Sequence, residues 1–357
     1  MRRTPIKVLV VDDSPLMQVI LKKLIEESPE FTLAGLASNG KAALDLIAKT
    51  DPDVITMDVE MPEMDGLDCL ARIMKEIPKP VIMISAYTRD EEESTIMALE
   101  LGAVDFITKP HPVLSETIEE IRKTIYTKIK TASLIRVKKV DPRTIDTIMG
   151  KTRFRKHTLP SPSVHRLRPA DKIVSIGVST GGPKALRTMI PSIPPDINAS
   201  ILIVQHMPPG FTKALADRLD SLSGIEVIEA RDGDILAAGK VYIACGGYHM
   251  SVEHSGRTFY TSLNQNGHVS LFRPSIDVLM KSTSRLFRER NIGVIMTGMC
   301  TDGVEGVRHI RENRGIVIAQ DEKTSAVFGM NKIAIQQKIP HHVVPMDQIV
   351  PTIMDLL

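Results

Sequence analysis

The sequence predicts an α/β protein of two domains: an N-terminal (βα)5 unit and a C-terminal unit on a parallel sheet, with an antiparallel hairpin inserted. Two observations carry this. Short apolar runs of strand length alternate with segments of helical spacing, and the links between them are short, as in a parallel sheet covered on both faces. The alternation then breaks once, at a basic stretch containing Thr158-Leu159-Pro160-Ser161-Pro162-Ser163, and starts again.

Each element follows from its residues. Lys7–Val11 is an apolar strand that stops at Asp12-Asp13, and Pro15–Glu27 places Leu16, Ile20 and Leu24 at helical spacing. Strands are then expected at Phe31–Ala37, Asp53–Asp58, Val81–Ala86 and Val104–Thr108. Helices are expected at Lys41–Lys49, Leu67–Lys75, Glu91–Leu101 and Val113–Lys130. After the break, Lys172–Gly177, Ser200–Gln205, Ile292–Thr297 and Ile316–Ala319 are apolar strands. Pro183–Ile190, with proline at a helix start, Thr212–Leu222 and Val304–Glu312 are helices. Glu226–Ala230, Lys240–Ala244, Thr258–Leu263 and Val269–Phe272 are short strands, with Asn266-Gly267 as a hairpin turn.

Composition narrows the class. The 357 residues are 43% hydrophobic and 25% charged with a net charge of +2, the balance of a folded globular chain rather than a disordered one or a polycation. Charge is nevertheless blocked. Residues 1–130 carry 16 Lys/Arg against 23 Asp/Glu, residues 131–169 carry 10 against 2, and the remainder is nearly neutral. The expected organisation is a domain over 1–130, a basic linker over 131–168 and a second domain over 169–357. The linker has one aromatic residue, Phe154, and no helix-turn-helix pattern, so it reads as a solvated tether and no nucleic-acid partner is expected. Cys69, Cys245 and Cys300 are odd in number and far apart, so neither a disulfide framework nor a zinc site is implied. No apolar run has membrane-helix length, and the N-terminal run is too short for a secretory signal, so a cytoplasmic protein is expected.

In an open parallel sheet, ligands bind beyond the carboxyl ends of the strands. In the first domain those ends carry Asp12 and Asp13, Asp58, Ser85 and Lys109. Carboxylates on adjacent strand ends repel unless a cation lies among them, and oxygen ligands without His or Cys suit Mg²⁺. Lys109 can neutralise a phosphoryl group and Ser85 can donate to its oxygen. Val10-Val11-Asp12-Asp13-Ser14-Pro15, Thr56-Met57-Asp58-Val59-Glu60-Met61-Pro62 and Thr108-Lys109-Pro110 resemble a two-component receiver domain, over about residues 5–125. The resemblance implies that Asp58 accepts a phosphoryl group from a histidine kinase. It implies Mg²⁺ held by Asp12, Asp13, Asp58 and the Glu60 backbone carbonyl, a switch through Ser85 and Phe106 beside Lys109, and a cis Lys109-Pro110 bond.

In the second domain Gly177-Val178-Ser179-Thr180-Gly181-Gly182 places Ser179 on a glycine-flanked strand-to-helix turn. Gln205-His206 ends the next strand, and Thr297-Gly298-Met299-Cys300-Thr301-Asp302-Gly303 follows a third. A nucleophile, a base and an orienting carboxylate thus meet at one sheet edge. Asp302 could instead cap the helix near Val304. The rival order Ser…Asp…His would use His341 or His342, which stand at a strand start, the wrong edge.

Ile176-Gly177-Val178-Ser179-Thr180-Gly181-Gly182-Pro183, Val204-Gln205-His206-Met207-Pro208, Arg273-Pro274-Ser275-Ile276-Asp277, Thr297-Gly298-Met299 with Asp302-Gly303, Ala319-Gln320-Asp321-Glu322 and Phe328-Gly329-Met330 resemble the chemotaxis methylesterase domain. With the receiver, the pairing resembles the chemotaxis response regulator protein-glutamate methylesterases. This implies phosphorylation-activated hydrolysis of glutamate γ-methyl esters on methyl-accepting chemotaxis receptors, with release of methanol. It also implies contact with membranes only through the receptors and, in many members, deamidation of receptor glutamines. Ser179, His206 and Asp302 would be catalytic, with backbone N–H groups of Thr180 and Met299 at the oxyanion and no cofactor for ester hydrolysis. Cys300 stands where the family usually has glycine, and Cys245 and Asn331 where it usually has proline. A Cβ at 300 is expected to strain the turn if φ is positive there, in which case Cys300→Gly raises kcat. A receiver-controlled binding module without useful turnover is the alternative.

Overall fold

The computed structural model describes residues 4–109, 118–150, 171–265 and 272–357. The chain forms two compact units, residues 1–154 and 155–357.

The first unit contains β1 (Ile6–Val11), α1 (Pro15–Glu26), β2 (Phe31–Ala37), α2 (Gly40–Thr50), β3 (Val54–Asp58), α3 (Gly66–Glu76), β4 (Val81–Ser85), α4 (Arg89–Leu101), β5 (Asp105–Thr108), α5 (Ile118–Ser133) and α6 (Pro142–Gly150). Its five strands are parallel in the order β2-β1-β3-β4-β5. Short polar side chains fix where the helices begin: Ser14, Asn39, Asp65 and Thr88 each accept a backbone N–H from the first turn. Val10, Ile82 and Ile84 of the sheet pack with Leu21 and Ile25 of α1 and Ile129 of α5.

The expected helix over Val113–Lys130 is observed from Ile118 to Ser133, and residues 113–117 lie outside the described residues, as does Pro110 of the Lys109-Pro110 bond. The solvated-tether reading of 131–168 needs correction in its first part. Residues 131–133 are the last turn of α5, and α6 packs on α4 with Ile145 and Ile148 buried. Few apolar residues among basic ones hid this nine-residue helix from pattern reading. Residues 151–168 lie outside the described residues.

The second unit contains β6 (Lys172–Val178), α7 (Gly182–Met189), β7 (Ala199–Gln205), α8 (Phe211–Leu222), β8 (Glu226–Glu229), β9 (Lys240–Ile243), β10 (His249–Ser255), β11 (Thr258–Asn264), α9 (Ile276–Phe287), β12 (Asn291–Ile295), α10 (Val304–Glu312), β13 (Ile316–Gln320), α11 (Met330–Gln336), β14 (His342–Val344) and α12 (Ile349–Leu356). Seven parallel strands lie in the order β14-β13-β12-β6-β7-β9-β8, and β10-β11 is a separate antiparallel hairpin.

The hairpin is displaced from expectation. The partner of β11 is β10, before it, and the turn lies between Ser255 and Thr258. Residues 266–271, including Asn266-Gly267 and most of Val269–Phe272, lie outside the described residues, and Phe272 is not in a strand. β10 buries Met250 and Val252 against α9, but its other residues are polar, so no apolar run marked it. Among the described residues, no helix is long and apolar enough to cross a membrane.

Candidate functional site

Parallel register brings Asp12, Asp58, Ser85 and Lys109 to one edge of the first sheet, because Val11 pairs with Met57, Asp58 with Ile84 and Ser85 with Thr108. Asp12, Asp13 and Asp58 each offer a carboxylate oxygen, all within 4.8 Å of one another. Lys109 Nζ donates to Asp58 Oδ2 at 2.7 Å. Burial pushes Asp58 up to about 6 against the Lys109 bond, with the Asp12 charge adding to the rise; burial also raises Asp12. Asp12 Oδ2 is buried without a hydrogen-bond partner. A buried acceptor with no donor, inside an all-oxygen cluster, fits a hard divalent cation.

Glu60 lies two residues beyond β3 with its side chain exposed. Ser85 is buried and turned toward α4: Thr95 Oγ1 donates to its Oγ at 2.8 Å, and it donates to the Ala86 carbonyl at 3.2 Å. Phe106 is buried, with Lys128 Nζ 5.5 Å from its ring centre.

In the second unit β12, β6 and β7 are neighbours, so residues distant in sequence meet at their carboxyl ends. Ser179 follows β6, His206 follows β7, and Asp302 lies between β12 and α10. Ser179 Oγ is 3.2 Å from His206 Nδ1, and His206 Nε2 is 2.8 Å from Asp302 Oδ2. With its proton on Nε2, facing the carboxylate, the ring keeps a lone pair on Nδ1 toward the serine hydroxyl. The geometry supplies a nucleophile, a base and an orienting carboxylate in bonded order.

Asp302 does not cap α10. It sits on the N-terminus of α9, where its carboxylate accepts from Ser275 Oγ (2.7 Å) and from the backbone N–H groups of Ile276 (2.7 Å) and Asp277 (3.3 Å). The relation is reciprocal: Asp277 Oδ1 accepts from Gly303 N (2.9 Å) and Gly306 N (2.6 Å) at the start of α10. Each helix start is thus held by a carboxylate next to the other. Burial opposes the charge on Asp302, but these donors and His206 outweigh it and keep its carboxyl below the usual range. Burial likewise opposes a charged His206, yet Asp302 and the neighbouring Cys300 push it up to about 9.

Further residues join the site without having been expected there. Gln205 Nε2 donates to the carbonyls of both Ser179 (3.0 Å) and His206 (3.2 Å), tying the two loops together. Thr297 Oγ1 donates to the Thr180 carbonyl at 2.9 Å. The Phe272 ring stacks on the His206 imidazole at 4.3 Å, nearly parallel. Gln205 stood beside His206, and Ser275 lay within a quoted motif that held no expected site residue; nothing in sequence marked the Phe272 stacking. Thr180 follows Ser179 directly, and Met299 lies in the loop after β12, where Gly298 is so close that a Cβ there would be 2.8 Å from Ser179 Cβ.

The strain expected at Cys300 is not found. Cys300 is not among the residues of positive φ; in that loop Gly303 takes the left-handed conformation, at 98°. The ground for expecting Cys300→Gly to raise kcat by relieving strain therefore falls. His341 Nδ1 accepts from Val317 N at 3.0 Å, beside the beginning of β13, far along the strand from the Ser179 edge.

Comparison with known proteins gives this geometry a lineage. A family model described as CheB methylesterase matches residues 174–353, and the response regulator receiver domain matches residues 8–122. The chain is 45% identical over 349 residues to a Pyrococcus horikoshii protein named protein-glutamate methylesterase/protein-glutamine glutaminase, covering 98% of this chain and 93% of that one. It is 40% identical over 352 residues to a Thermotoga maritima protein of the same name, covering 99% and 98%. The crystal structure of the Thermotoga maritima CheB methylesterase catalytic domain superposes with a TM-score of 0.51 at 40% identity, over 52% of this chain and 98% of that one. Both matched domains stand in sequence order on one chain, and the likeness runs nearly end to end, so the chain belongs to the CheB methylesterase family.

Proposed function

We propose that this protein is a phosphorylation-activated serine esterase that removes methyl groups from glutamate γ-methyl esters of methyl-accepting chemotaxis receptors, releasing methanol. The bonded series Ser179–His206–Asp302 carries the reading. Ser179 attacks the ester carbonyl while His206 Nδ1 takes its proton; the same proton then leaves with methoxide as methanol, and water repeats the cycle on the acyl-enzyme. Asp302 holds the ring in the tautomer that leaves Nδ1 open. The Thr180 and Met299 backbone N–H groups serve the developing oxyanion. A receptor glutamine presents the same carbonyl with ammonia as leaving group, and the names of the relatives support deamidation as a second activity. Those names and the bonded triad favour an enzyme over a receiver-controlled binding module. Its place is the cytoplasm, reaching membranes through receptors, with no nucleic-acid partner.

Asp58 is the phosphoryl acceptor and a chemotaxis histidine kinase the donor. Asp12, Asp13, Asp58 and the Glu60 carbonyl would hold Mg²⁺, which supplies positive charge against the phosphoryl oxygens. Lys109 already touches Asp58 and would neutralise a further phosphoryl oxygen, while Ser85 would turn to it from Thr95 and Phe106 would move with it. Ester hydrolysis itself asks no metal of the Ser179 site.

The acidic cluster makes a pH-dependent prediction. Asp58 binds its proton more tightly folded than unfolded, so its contribution to stability is full below about pH 4 and is lost as pH rises through about 6. Mg²⁺ is therefore expected to raise Tm clearly at about pH 7.5 and little at about pH 5, with Asp58→Asn removing most of the response. Thermal melts with and without Mg²⁺ check this; equal responses at both pH values count against the site.

Gln205 tests the support of the triad. Gln205→Leu removes the amide bridging Ser179 and His206 and is expected to lower kcat about 10- to 100-fold with little change in KM, because small displacements of reacting groups are costly. Methanol-release kinetics on methylated receptor membranes read the split.

A further inference from the structure

Two donors meet one acceptor at His206. The Cys300 Sγ lies 3.7 Å from His206 Nδ1, the atom that the Ser179 hydroxyl reaches at 3.2 Å. Nε2 carries its proton toward Asp302 at 2.8 Å, so Nδ1 holds the neutral ring's single free lone pair. Cys300 also lacks the strained backbone that would make it a merely tolerated replacement, and its partly buried side chain packs against the core of the unit. We propose that Cys300 is a positioning residue that shares His206 Nδ1 with Ser179 and thereby controls when the base is free to serve the serine. This rests on the triad reading given above.

The proton balance is simple. When the thiol proton passes from Sγ to Nδ1, a thiolate and an imidazolium result, with Nε2–H still on Asp302 and no change in total charge. Neither ring nitrogen then has a lone pair, and Ser179 keeps its proton. Return of that proton to sulfur, or its loss from Nδ1 to solvent at higher pH, restores the base. The direction found for His206, pushed up to about 9 by Asp302 and Cys300 against burial, agrees with this geometry. Among the described residues, Asp277 on α9, Arg273 just before it and His249 on β10 are further charged or titratable groups linked to the pair through Asp302. Asp277 and His249 both feel the Asp302 charge, and His249 also feels Arg273.

The test uses the full-length chain. Cys300→Ala removes the thiol and keeps Cβ, and Cys300→Ser leaves a shorter, weaker acid. The ring titration of His206 is followed by NMR, beside the pH dependence of kcat/KM for methanol release. In Cys300→Ala the His206 midpoint should fall by about one pH unit. The acid limb of kcat/KM should move with it, so activity below the limb rises up to about tenfold. Cys300→Ser should lie nearer to Cys300→Ala than to the wild type. A His206 midpoint that stays or rises in folded Cys300→Ala overturns the proposal. The ring titration needs no turnover, so it decides this point separately from the triad reading, which stands or falls on Ser179→Ala.

Discussion

Ser179→Ala is expected to lower methanol release from methylated receptor membranes by about 10⁴- to 10⁶-fold while leaving the thermal melt unchanged. The hydroxyl is the group that the geometry presents to the ester: it lies 3.2 Å from His206 Nδ1, on a turn flanked by Gly177 and Gly181. Without it, His206 has no alcohol to activate, and only the oxyanion donors and substrate binding remain. His206→Ala should cost about as much, and the double variant little more, because a nucleophile and its base act as one unit. Asp302→Asn should cost less, since it disturbs the ring's tautomer and charge without removing either reacting group. It also turns one carboxylate oxygen into a donor where Ser275, Ile276 and Asp277 all donate, so a lower Tm is expected for that variant alone. Near wild-type methanol release from folded Ser179→Ala would end the triad assignment.

The second large effect is on control. A small acyl phosphate with Mg²⁺ should stimulate the wild type and leave Asp58→Asn at its basal rate, because an amide cannot form the acyl phosphate. The modification would replace a carboxylate by an acyl phosphate of about −1.5 to −2 charge, with three phosphoryl acceptor oxygens, at a buried strand end already touched by Lys109. The Ser85 hydroxyl, paired with Thr95 on α4, is the nearby donor proposed to change partner, and a phosphoryl group would then bias the β4–α4 junction between two hydrogen-bonding states. Methanol release with and without the phosphodonor, on equal amounts of wild type and Asp58→Asn, measures this. Stimulation of Asp58→Asn equal to that of wild type would remove Asp58 from its role.

Much of this molecule is legible in its residues. The polar strand ends were visible because each apolar run stops abruptly at Asp12, Asp58, Ser85, Ser179 or His206, and a parallel sheet puts all such stops on one edge. Periodicity also exposed most helices, and the starts of α1 to α4 coincide with side chains that cap them. What sequence could not decide is which neighbours those residues acquire. From sequence Asp302 has the cap of α10 as its alternative role, and only the packing of α9 against α10 puts it on the other helix, with Asp277 returning the exchange. β10 escaped notice because a strand covered on one face by α9 needs few apolar residues. At Cys300 the sequence invited a backbone argument, whereas the structure gives the left-handed turn to Gly303 and brings the thiol to the base. Patterning is a one-dimensional record of burial, so it predicts elements and edges. Hydrogen-bond partners depend on strand order and helix packing across more than a hundred residues, and only the tertiary structure settles them.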